Sequence, residues 1–309
     1  MKLTNQIVKE VAYKLGFDLI GFSEAVMLNE ETDRLKSWLE KGYFHKMSYM
    51  EKNVDKRTDV KKILSSAKSV ISLGINYYKN DEYENGNDLG KVSRYAWGKD
   101  YHLIIWDKLK TFSEEIKSIN SDAELISYVD TGPVMDKAWA VRSGLGWLGK
   151  HTNVISREIG SWFFIATVIT NLEFEASIPQ TDLCGTCTAC IDACPTNAII
   201  DEYVLDAGRC ISNLTIENKC DIPKEFSGKF DNWVFGCDIC QEVCPWNNKF
   251  AKTTTSKEFL STDNKELNFG EIKELSNSRF RKRFFDSPIL RAGLKGLKRN
   301  VEFIEEGNQ

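Results

Sequence analysis

Hydrophobic and polar residues alternate along the chain with the periods of both helices and strands. Apolar residues at helical spacing predict helices over 8–15, 30–40, 100–117 and 133–144. The last of these segments begins at a proline and ends at a glycine, which is typical of helix ends. Runs rich in Val, Ile and Phe predict strands over 69–77, 123–129, 153–156 and 162–170. The acidic, Asn- and Gly-rich segment 80–90 predicts a loop. Helices mixed with strands indicate an α/β or α+β fold, and we assign α+β.

The composition is that of a globular protein. The chain has 309 residues, of which 42% are hydrophobic and 28% charged, so we expect about two domains and exclude disordered, collagen and coiled-coil classes. Its net charge of −4 provides no overall field that would attract nucleic acid. The N-terminus mixes Lys and Glu into its apolar positions, unlike a signal peptide, and the most apolar stretch, 162–169, is too short to cross a membrane as a helix. We therefore expect a cytoplasmic protein with no membrane contact.

The nine cysteines change this ordinary picture. None precedes Cys184, and all nine lie between Cys184 and Cys244. A reducing compartment rarely keeps structural disulfides, so clustered thiols indicate metal.

The cysteine spacing indicates two [4Fe–4S] clusters. The first run has the spacing C-x₂-C-x₂-C-x₃-C-P of bacterial ferredoxins, in which the fourth cysteine ligates the other cluster. The second run lacks its leading cysteine, for which Cys210 is the natural substitute. The crossover rule gives one cluster Cys184, Cys187, Cys190 and Cys244, and the other Cys194, Cys210, Cys237 and Cys240. Cys220 remains over as a free thiol. Two alternatives stay open, namely a pair of structural zinc sites and Cys220 in place of Cys210.

Two adjacent clusters conduct single electrons, and the first part of the chain is the candidate consumer. It contains neither a Gly-x-Gly-x-x-Gly nor a Walker sequence. Asp100-Tyr101-His102 begins a motif that supplies histidine to cobalt in some corrinoid proteins, but Ile105 replaces its glycine. A histidine-ligated corrin is therefore not supported.

Several blocks of residues resemble the epoxyqueuosine reductase family over nearly the whole chain. They are Met-Ser-Tyr-Met (47–50), Lys-Arg-Thr-Asp (56–59), Ser-Arg-Tyr-Ala-Trp-Gly-Lys-Asp-Tyr-His (93–102), Tyr-Val-Asp-Thr-Gly-Pro (128–133), Ser-Gly-Leu-Gly-Trp-Leu-Gly-Lys-His-Thr (143–152) and Phe-Gly-Cys-Asp-Ile-Cys-Gln-Glu-Val-Cys-Pro-Trp-Asn (235–247).

The resemblance implies a cobalamin-dependent oxidoreductase that converts epoxyqueuosine to queuosine at the anticodon wobble position of tRNA, the last step of that pathway. It implies a nitroreductase-like cobalamin-binding catalytic domain over 1–178, a ferredoxin-like two-cluster domain over 179–250, and a linker with a short basic helical segment over 251–309. Longer relatives add a domain of helical repeats. The implied cofactors are base-off cobalamin and two [4Fe–4S] clusters. The implied partners are tRNA and an electron donor of the flavodoxin or ferredoxin type, and we expect a monomer.

Within this family pattern, Asp130 matches the acid that donates a proton to the epoxide oxygen. We expect burial over the corrin to raise its pKa more than a helix start at Pro133 lowers it. Without the resemblance, Asp130 would be interpreted as a helix cap. Tyr101 and His151 are expected to line the substrate side of the cobalt, and Asp136 is expected to be an exposed helical residue.

Cobalamin contacts are expected at positions that match the family or adjoin cluster ligands, although salt bridges or loop structure would also explain these residues. They are Arg57, Ser93, Arg94, Asp130, Ser212, Asn213, Gly236 and Asp238.

A basic stretch near the C-terminus is the candidate tRNA contact. Between residues 279 and 300, Asp286 is the one acid among eight cations, which are Arg279, Arg281, Lys282, Arg283, Arg291, Lys295, Lys298 and Arg299. Such a patch on an acidic chain fits a phosphate backbone, although a solvated helix face has the same pattern. We expect the target nucleoside to be flipped out and stacked on an aromatic side chain, with Trp97 and Trp246 as candidates.

Two other functions share part of this pattern. A reductive dehalogenase-like enzyme would use cobalt and clusters on a small molecule, and a non-enzymatic electron carrier would use the cysteines alone. The first would have no need of the basic stretch, and the second would have no need of Asp130.

Overall fold

The computed structural model describes residues 3–84 and 86–308. Its strands are β1 (Leu19–Glu24), β2 (Ser69–Asn76), β3 (Leu89–Val92), β4 (Leu125–Tyr128), β5 (Trp147–Leu148), β6 (Val154–Ile155), β7 (Phe163–Thr170), β8 (Ile199–Asp201), β9 (Val204–Leu205), β10 (Trp233–Phe235) and β11 (Glu266–Asn268). Its α-helices are α1 (Asn5–Lys14), α2 (Asn29–Glu40), α3 (Val54–Thr58), α4 (Tyr101–Ile119), α5 (Asp136–Arg142), α6 (Ala189–Asp192), α7 (Ile211–Ile216), α8 (Ile239–Glu242), α9 (Pro245–Phe250), α10 (Phe269–Glu274), α11 (Asn277–Arg283) and α12 (Gly293–Gly307).

A four-stranded antiparallel sheet of order β1-β2-β7-β4 forms the centre of the first half of the chain. Every residue of β2 is buried, because both faces of the sheet are covered. Ile71 and Leu73 join the core beneath α1 and α4, whereas Val70 packs on the opposite face with Trp139 of α5. α5 lies close against β1. A Cβ atom at Gly21 would come within 1.8 Å of the carbonyl oxygen of Ser143, so this position requires glycine.

A second core joins distant parts of the chain. β3 pairs in parallel with β10 and antiparallel with β11, in a three-stranded sheet of order β10-β3-β11. Val92 and Trp97 therefore pack with residues of α7, β10 and α12 rather than with the first sheet. The second core thus crosses both predicted domain boundaries, 178/179 and 250/251, and that division stays a prediction.

The mixed α+β architecture is confirmed, and the predicted helices and strands of the first half are present, with small shifts at their ends. The predicted loop 80–90 overlaps β3, which begins at Leu89. The expectation that Pro133 opens a helix is wrong, because α5 begins at Asp136 and Met135 takes the N-cap position. The strands that lie outside the predicted ones are β1, β3, β5, β8, β9, β10 and β11. Within the described residues, no helix is long and apolar enough to span a membrane.

Candidate active site and cluster sites

Asp130 lies on the loop that follows β4, and it contacts the start of α4. Its backbone has a positive φ of 46°, which is unusual for a residue other than glycine. The hydroxyl of Tyr101 donates a hydrogen bond to Oδ2 of Asp130, and Nε2 of His102 lies 2.8 Å from Oδ1. Asp130 is therefore held by two side chains of α4 and does not cap a helix, since α5 starts six residues later.

His102 is bound between two carboxylates. Its Nδ1 lies 2.8 Å from Oδ1 of Asp100, which also caps α4 by accepting from the backbone N–H of His102. Although partial burial lowers the pKa of His102, hydrogen bonds to Asp100 and Asp130 and their charges raise it to about 9. The imidazole is therefore protonated at neutral pH. Tyr101 stacks on Phe164 with ring centroids 4.2 Å apart, which fixes its hydroxyl towards Asp130.

The carboxylate of Asp130 faces an open region of the surface. Its side chain is 52% exposed, and its predicted burial over the corrin stays a prediction. Burial raises the pKa of Tyr49, and the charges of Glu217 and Asp130 add to this effect. Arg291, paired with Glu217 at 2.8 Å, also lies within range of the charge of Asp130. The mouth of the site is thus bordered by the turn around Tyr49 and by the segment that carries Arg291.

Asp136 is not the exposed helical residue that the sequence predicted. Oγ1 of Thr167, a buried residue of β7, donates to Oδ1 of Asp136 over 2.5 Å. Burial, to which the nearby charge of Asp130 adds, raises the pKa of Asp136 to about 7. α5 therefore places a second carboxyl group behind the Asp130 loop.

His151 is a buried neutral side chain. Burial, together with the charge of Lys137, lowers the pKa of His151 to about 4. Its Nδ1 accepts a hydrogen bond from the backbone N–H of Asn153 at 3.2 Å. Nε2 of His151 and Oδ1 of Asn213 are both buried without a hydrogen-bond partner among the described residues. Lys137 lies within electrostatic range of Cys210 and Cys240, which places His151 near the same thiols.

The residues expected to hold the corrin divide into two kinds. Asp238 is 1% exposed and accepts from Ser93 Oγ at 2.5 Å and from the backbone N–H of Arg94 at 2.7 Å. The guanidinium of Arg94 also pairs with Glu242 at 2.5 Å. Gly236, with φ of 72°, permits this approach, since a Cβ atom there would lie 2.5 Å from Cβ of Ser93. The hydrogen bonds and ion pairs among Ser93, Arg94, Asp238 and Glu242 join the start of α8 to the loop after β3.

Three other predicted contacts lie elsewhere. Arg57 donates to the backbone carbonyls of Lys52 and Tyr49 and so braces the turn at the mouth of the site. Ser212 and Asn213 lie in the first turn of α7, directly after Cys210. The amide nitrogen of Asn213 donates to the carbonyl of Ala207 at 2.8 Å, which leaves its Oδ1 as the unpartnered atom.

Eight of the nine thiols affect one another's pKa, in two sets of four. Burial, together with the charges of Cys244, Cys184 and Cys187, raises the pKa of Cys190 to about 11, so these four lie close together. Burial likewise raises the pKa of Cys240, and the charges of Cys210 and Cys194 add to it. Cys237 is affected by Cys240 and Cys210 in the same way. These mutual effects are compatible with the ligand sets of the crossover rule, and the sets themselves stay a prediction.

The two groups adjoin, because the charge of Cys190 in the first also reaches Cys240 in the second. Cys220 is exposed on the loop after α7, where its carbonyl accepts from Arg299. Among the described residues, no three His, Cys, Asp or Glu side chains are placed to hold a single metal ion.

The basic stretch is divided between α11, α12 and the turn between them. Arg283 pairs with Glu271 at 3.0 Å and Arg291 with Glu217. Arg299 is structural, since it donates to the carbonyls of Leu214, Asn218 and Cys220. Within residues 3–84 and 86–308, the predicted cations that form no salt bridge and bind no such carbonyls are Arg279, Arg281, Lys282, Lys295 and Lys298.

The expected stacking role of Trp97 is wrong. Trp97 is 2% exposed, and its indole N–H donates to the carbonyl of Val92, so neither ring face is open to a nucleoside. Trp246 is partly buried and stacks on Phe250.

Sequence reasoning did not identify His102, Asp100 and Asp136 as site residues. In the sequence, Asp100 and His102 form only an incomplete cobalt motif, although an aspartate at a helix N-cap two residues before a histidine is a pattern that can orient the imidazole.

Comparison with known proteins gives two family matches and close relatives. Residues 183–247 match the 4Fe-4S double cluster binding domain, and residues 57–131 match "Epoxyqueuosine reductase QueG, DUF1730". The epoxyqueuosine reductases of Leadbetterella byssophila and Cellulophaga algicola are 48% and 46% identical, over 97% of this chain and 97% and 98% of their own lengths.

Solved structures agree with this assignment. An epoxyqueuosine reductase bound to an epoxyqueuosine-modified tRNA-Tyr stem loop superposes with a TM-score of 0.90 at 34% identity, over 96% of this chain and 79% of that one. The Bacillus subtilis enzyme, solved with its aspartate catalytic loop swung out of the active site, gives 0.89 at 33% identity over the same shares.

These matches decide between the functions that the sequence left open. The double-cluster domain confirms two [4Fe–4S] clusters against the zinc alternative, and the family match supports the predicted cobalamin. Because the two relatives matched at this identity and coverage are enzymes, a non-enzymatic electron carrier is disfavoured. The chain belongs to the epoxyqueuosine reductase family of oxidoreductases.

Proposed function

We propose that this enzyme reduces epoxyqueuosine to queuosine at the anticodon wobble position of tRNA, the last step of queuosine biosynthesis. The observation that carries the proposal is the hydrogen-bonded chain Asp100–His102–Asp130, which, with Tyr101, ends in a half-exposed carboxylate. A relative in this family has been solved with an epoxyqueuosine-modified tRNA stem loop, which supports the substrate class.

The reaction needs protons as well as electrons. Converting an epoxide to an alkene consumes two electrons and two protons, breaks both C–O bonds and releases the oxygen as water. Asp130 would donate the proton to the epoxide oxygen. Because the pKa of His102 is raised to about 9, the pair carries its proton on the imidazole at neutral pH, and His102 would return a proton to Asp130. The pair, rather than a desolvated Asp130 alone, is the proton source we propose.

Cobalamin, bound base-off, would supply the strong one-electron donor that reductive epoxide opening requires. Two buried polar atoms have no hydrogen-bond partner among the described residues, namely Nε2 of His151 and Oδ1 of Asn213. Amide groups at the rim of a bound corrin would provide hydrogen bonds to both atoms. Arg57 and Ser212 are proposed as further contacts. Ser93, Arg94, Gly236 and Asp238 would act mainly by holding the neighbouring cluster loop in place.

The two thiol groups would each hold a [4Fe–4S] cluster, with Cys210 as the remote ligand. Cys210 lies within electrostatic range of Cys194, Cys237 and Cys240, whereas Cys220 is exposed beside Arg299. Adjacent clusters supply electrons one at a time from an external donor, which we propose to be a flavodoxin or ferredoxin. We further propose that the enzyme acts as a monomer in the cytoplasm and binds tRNA through its unpaired C-terminal cations.

Direct turnover tests the proposal. Anaerobically purified holoenzyme is incubated with a chemical reductant and tRNA that carries epoxyqueuosine, and the digested nucleosides are analysed by mass spectrometry. Conversion to queuosine, with loss of one oxygen, is expected. Reduction of a small organohalide without conversion of the tRNA would instead favour the dehalogenase-like alternative.

A further inference from the structure

An exposed aromatic side chain lies on the turn after α11, next in sequence to a residue that contacts the start of α4. Phe285 is 72% exposed, the largest exposed fraction of any Phe, Tyr or Trp in the described part of the chain. The preceding residue, Phe284, is fully buried in the second core and fixes the backbone at this point. Phe285 therefore projects from an anchored turn into solvent, where its apolar ring gains nothing from the fold of this chain.

This turn is joined to the proton-donating chain of side chains. The backbone N–H of Asp100 donates to the carbonyl of Asp286 at 2.6 Å. The carboxylate of Asp100 holds His102, and His102 holds Asp130. Phe285 is therefore adjacent in sequence to Asp286, whose backbone carbonyl binds the first residue of the Asp100–His102–Asp130 chain.

Two exposed cations precede the same turn, which also contains the acid Asp286. Arg281 and Lys282, in the last turn of α11, are exposed and form no salt bridge within residues 3–84 and 86–308. An aromatic face flanked by free cations is the combination that binds single-stranded nucleic acid, because bases stack on the ring while the cations meet phosphates. A protein or membrane partner would need a wider apolar surface than this single ring provides.

We propose that Phe285 is a stacking platform for an unpaired base of the tRNA anticodon loop, next to the nucleotide that enters the active site. The inference rests on the proposed function, since it assumes that tRNA is the substrate. Stacking on Phe285 would hold the anticodon loop open beside Asp130.

Binding of a fluorescently labelled anticodon stem loop to the holoenzyme tests this inference. Phe285→Ala should weaken binding about tenfold, because stacking on an aromatic ring contributes on the order of one such factor per base. Phe285→Tyr should bind like the wild type, and Phe285→Leu, which keeps apolar volume but loses the ring face, should resemble Phe285→Ala. The salt dependence should be unchanged in all three, because no phosphate contact is lost. Tyr13→Ala, at an exposed aromatic residue on α1, is the matched control and should have no effect.

The outcomes separate the two proposals. Wild-type affinity in Phe285→Ala, with binding still weakened by Arg281→Glu, would overturn the stacking role while leaving tRNA as the substrate. A sedimentation shift from dimer to monomer on Phe285→Ala would also overturn it, because the ring would then be covered by a second copy. Failure of the wild-type enzyme to bind or convert modified tRNA would reject the proposed function itself.

Discussion

Two aspartates of this chain, Asp130 and Asp238, match the same family pattern but lie in opposite environments. Asp130 is half exposed, has an unusual backbone conformation and lies 2.8 Å from Nε2 of His102. Asp238 is 1% exposed, and its oxygens accept from Ser93 and Arg94. A carboxylate that must exchange protons needs access and a basic partner, whereas a buried carboxylate with several donors is a structural element. Substitutions at the two sites should therefore produce different kinds of failure.

Replacing Asp130 should have the largest effect. Asp130→Asn keeps the shape of the side chain but cannot donate a proton, so the single-turnover rate of queuosine formation should fall by about 10²- to 10⁴-fold. Binding of tRNA and the visible spectrum of the cofactors should be unchanged. Asp122→Asn, at an exposed aspartate of the loop before β4, is the control and should leave the rate at the wild-type value. Near-normal turnover by Asp130→Asn would exclude it as the proton donor.

Removing the partner of Asp238 should instead reduce stability. Arg94→Met leaves a buried carboxylate with fewer partners, and breaking a buried ion pair costs about 3–5 kcal/mol. The free energy of unfolding, measured by urea denaturation of the holoenzyme, should fall by about that amount. The control is Arg34→Met, which removes an exposed pair with Glu30 and should change stability by less than about 1 kcal/mol. If Arg94→Met were as stable as the control, the Arg94–Asp238 pair would not hold the two segments together.

These environments show which features the sequence could reveal. Cysteine spacing is local, so Cys184 to Cys194 could be assigned from the motif alone. The pairing of Arg94 with Asp238 joins residues 144 positions apart, and no local pattern specifies whether such residues bind a ligand or one another. The burial of Asp136 depends on the packing of α5 against β7, which joins Asp136 to Thr167 and which no local pattern of the sequence specifies.

The pH dependence of the reaction should report His102. Because its pKa is about 9, the Asp130–His102 pair keeps its proton at neutral pH and loses it as the pH rises through 9. The single-turnover rate should therefore be constant from about pH 7 to 8 and fall up to tenfold per pH unit above about 9. His102→Gln should react more slowly at neutral pH and should lack this alkaline decline. An identical pH profile in His102→Gln would show that another group controls the rate.

The raised pKa of His102 should also make the free energy of unfolding depend on pH. A histidine whose pKa is raised from 6.5 to about 9 on folding contributes stability that is fully present below about pH 6.5. This contribution decreases between pH 6.5 and 9 and is lost above 9. The difference in the free energy of unfolding between wild type and His102→Gln should therefore become smaller as the pH rises over this interval. A difference that did not change with pH would mean that His102 is not charged in the folded enzyme.

The smallest effects should come from the basic stretch, where each cation acts alone on a screened phosphate. Arg281→Glu with Lys298→Glu should weaken binding of the stem loop and reduce the slope of log affinity against log salt by about two, because each lost cation removes about one phosphate contact. Arg291→Gln should have a different effect, since Arg291 is already paired with Glu217 and borders the mouth of the site. It should reduce turnover more than it changes the salt slope. Unchanged binding in the double variant would place the phosphate contacts elsewhere and would leave the mouth of the site, between Tyr49 and Arg291, as the main tRNA contact.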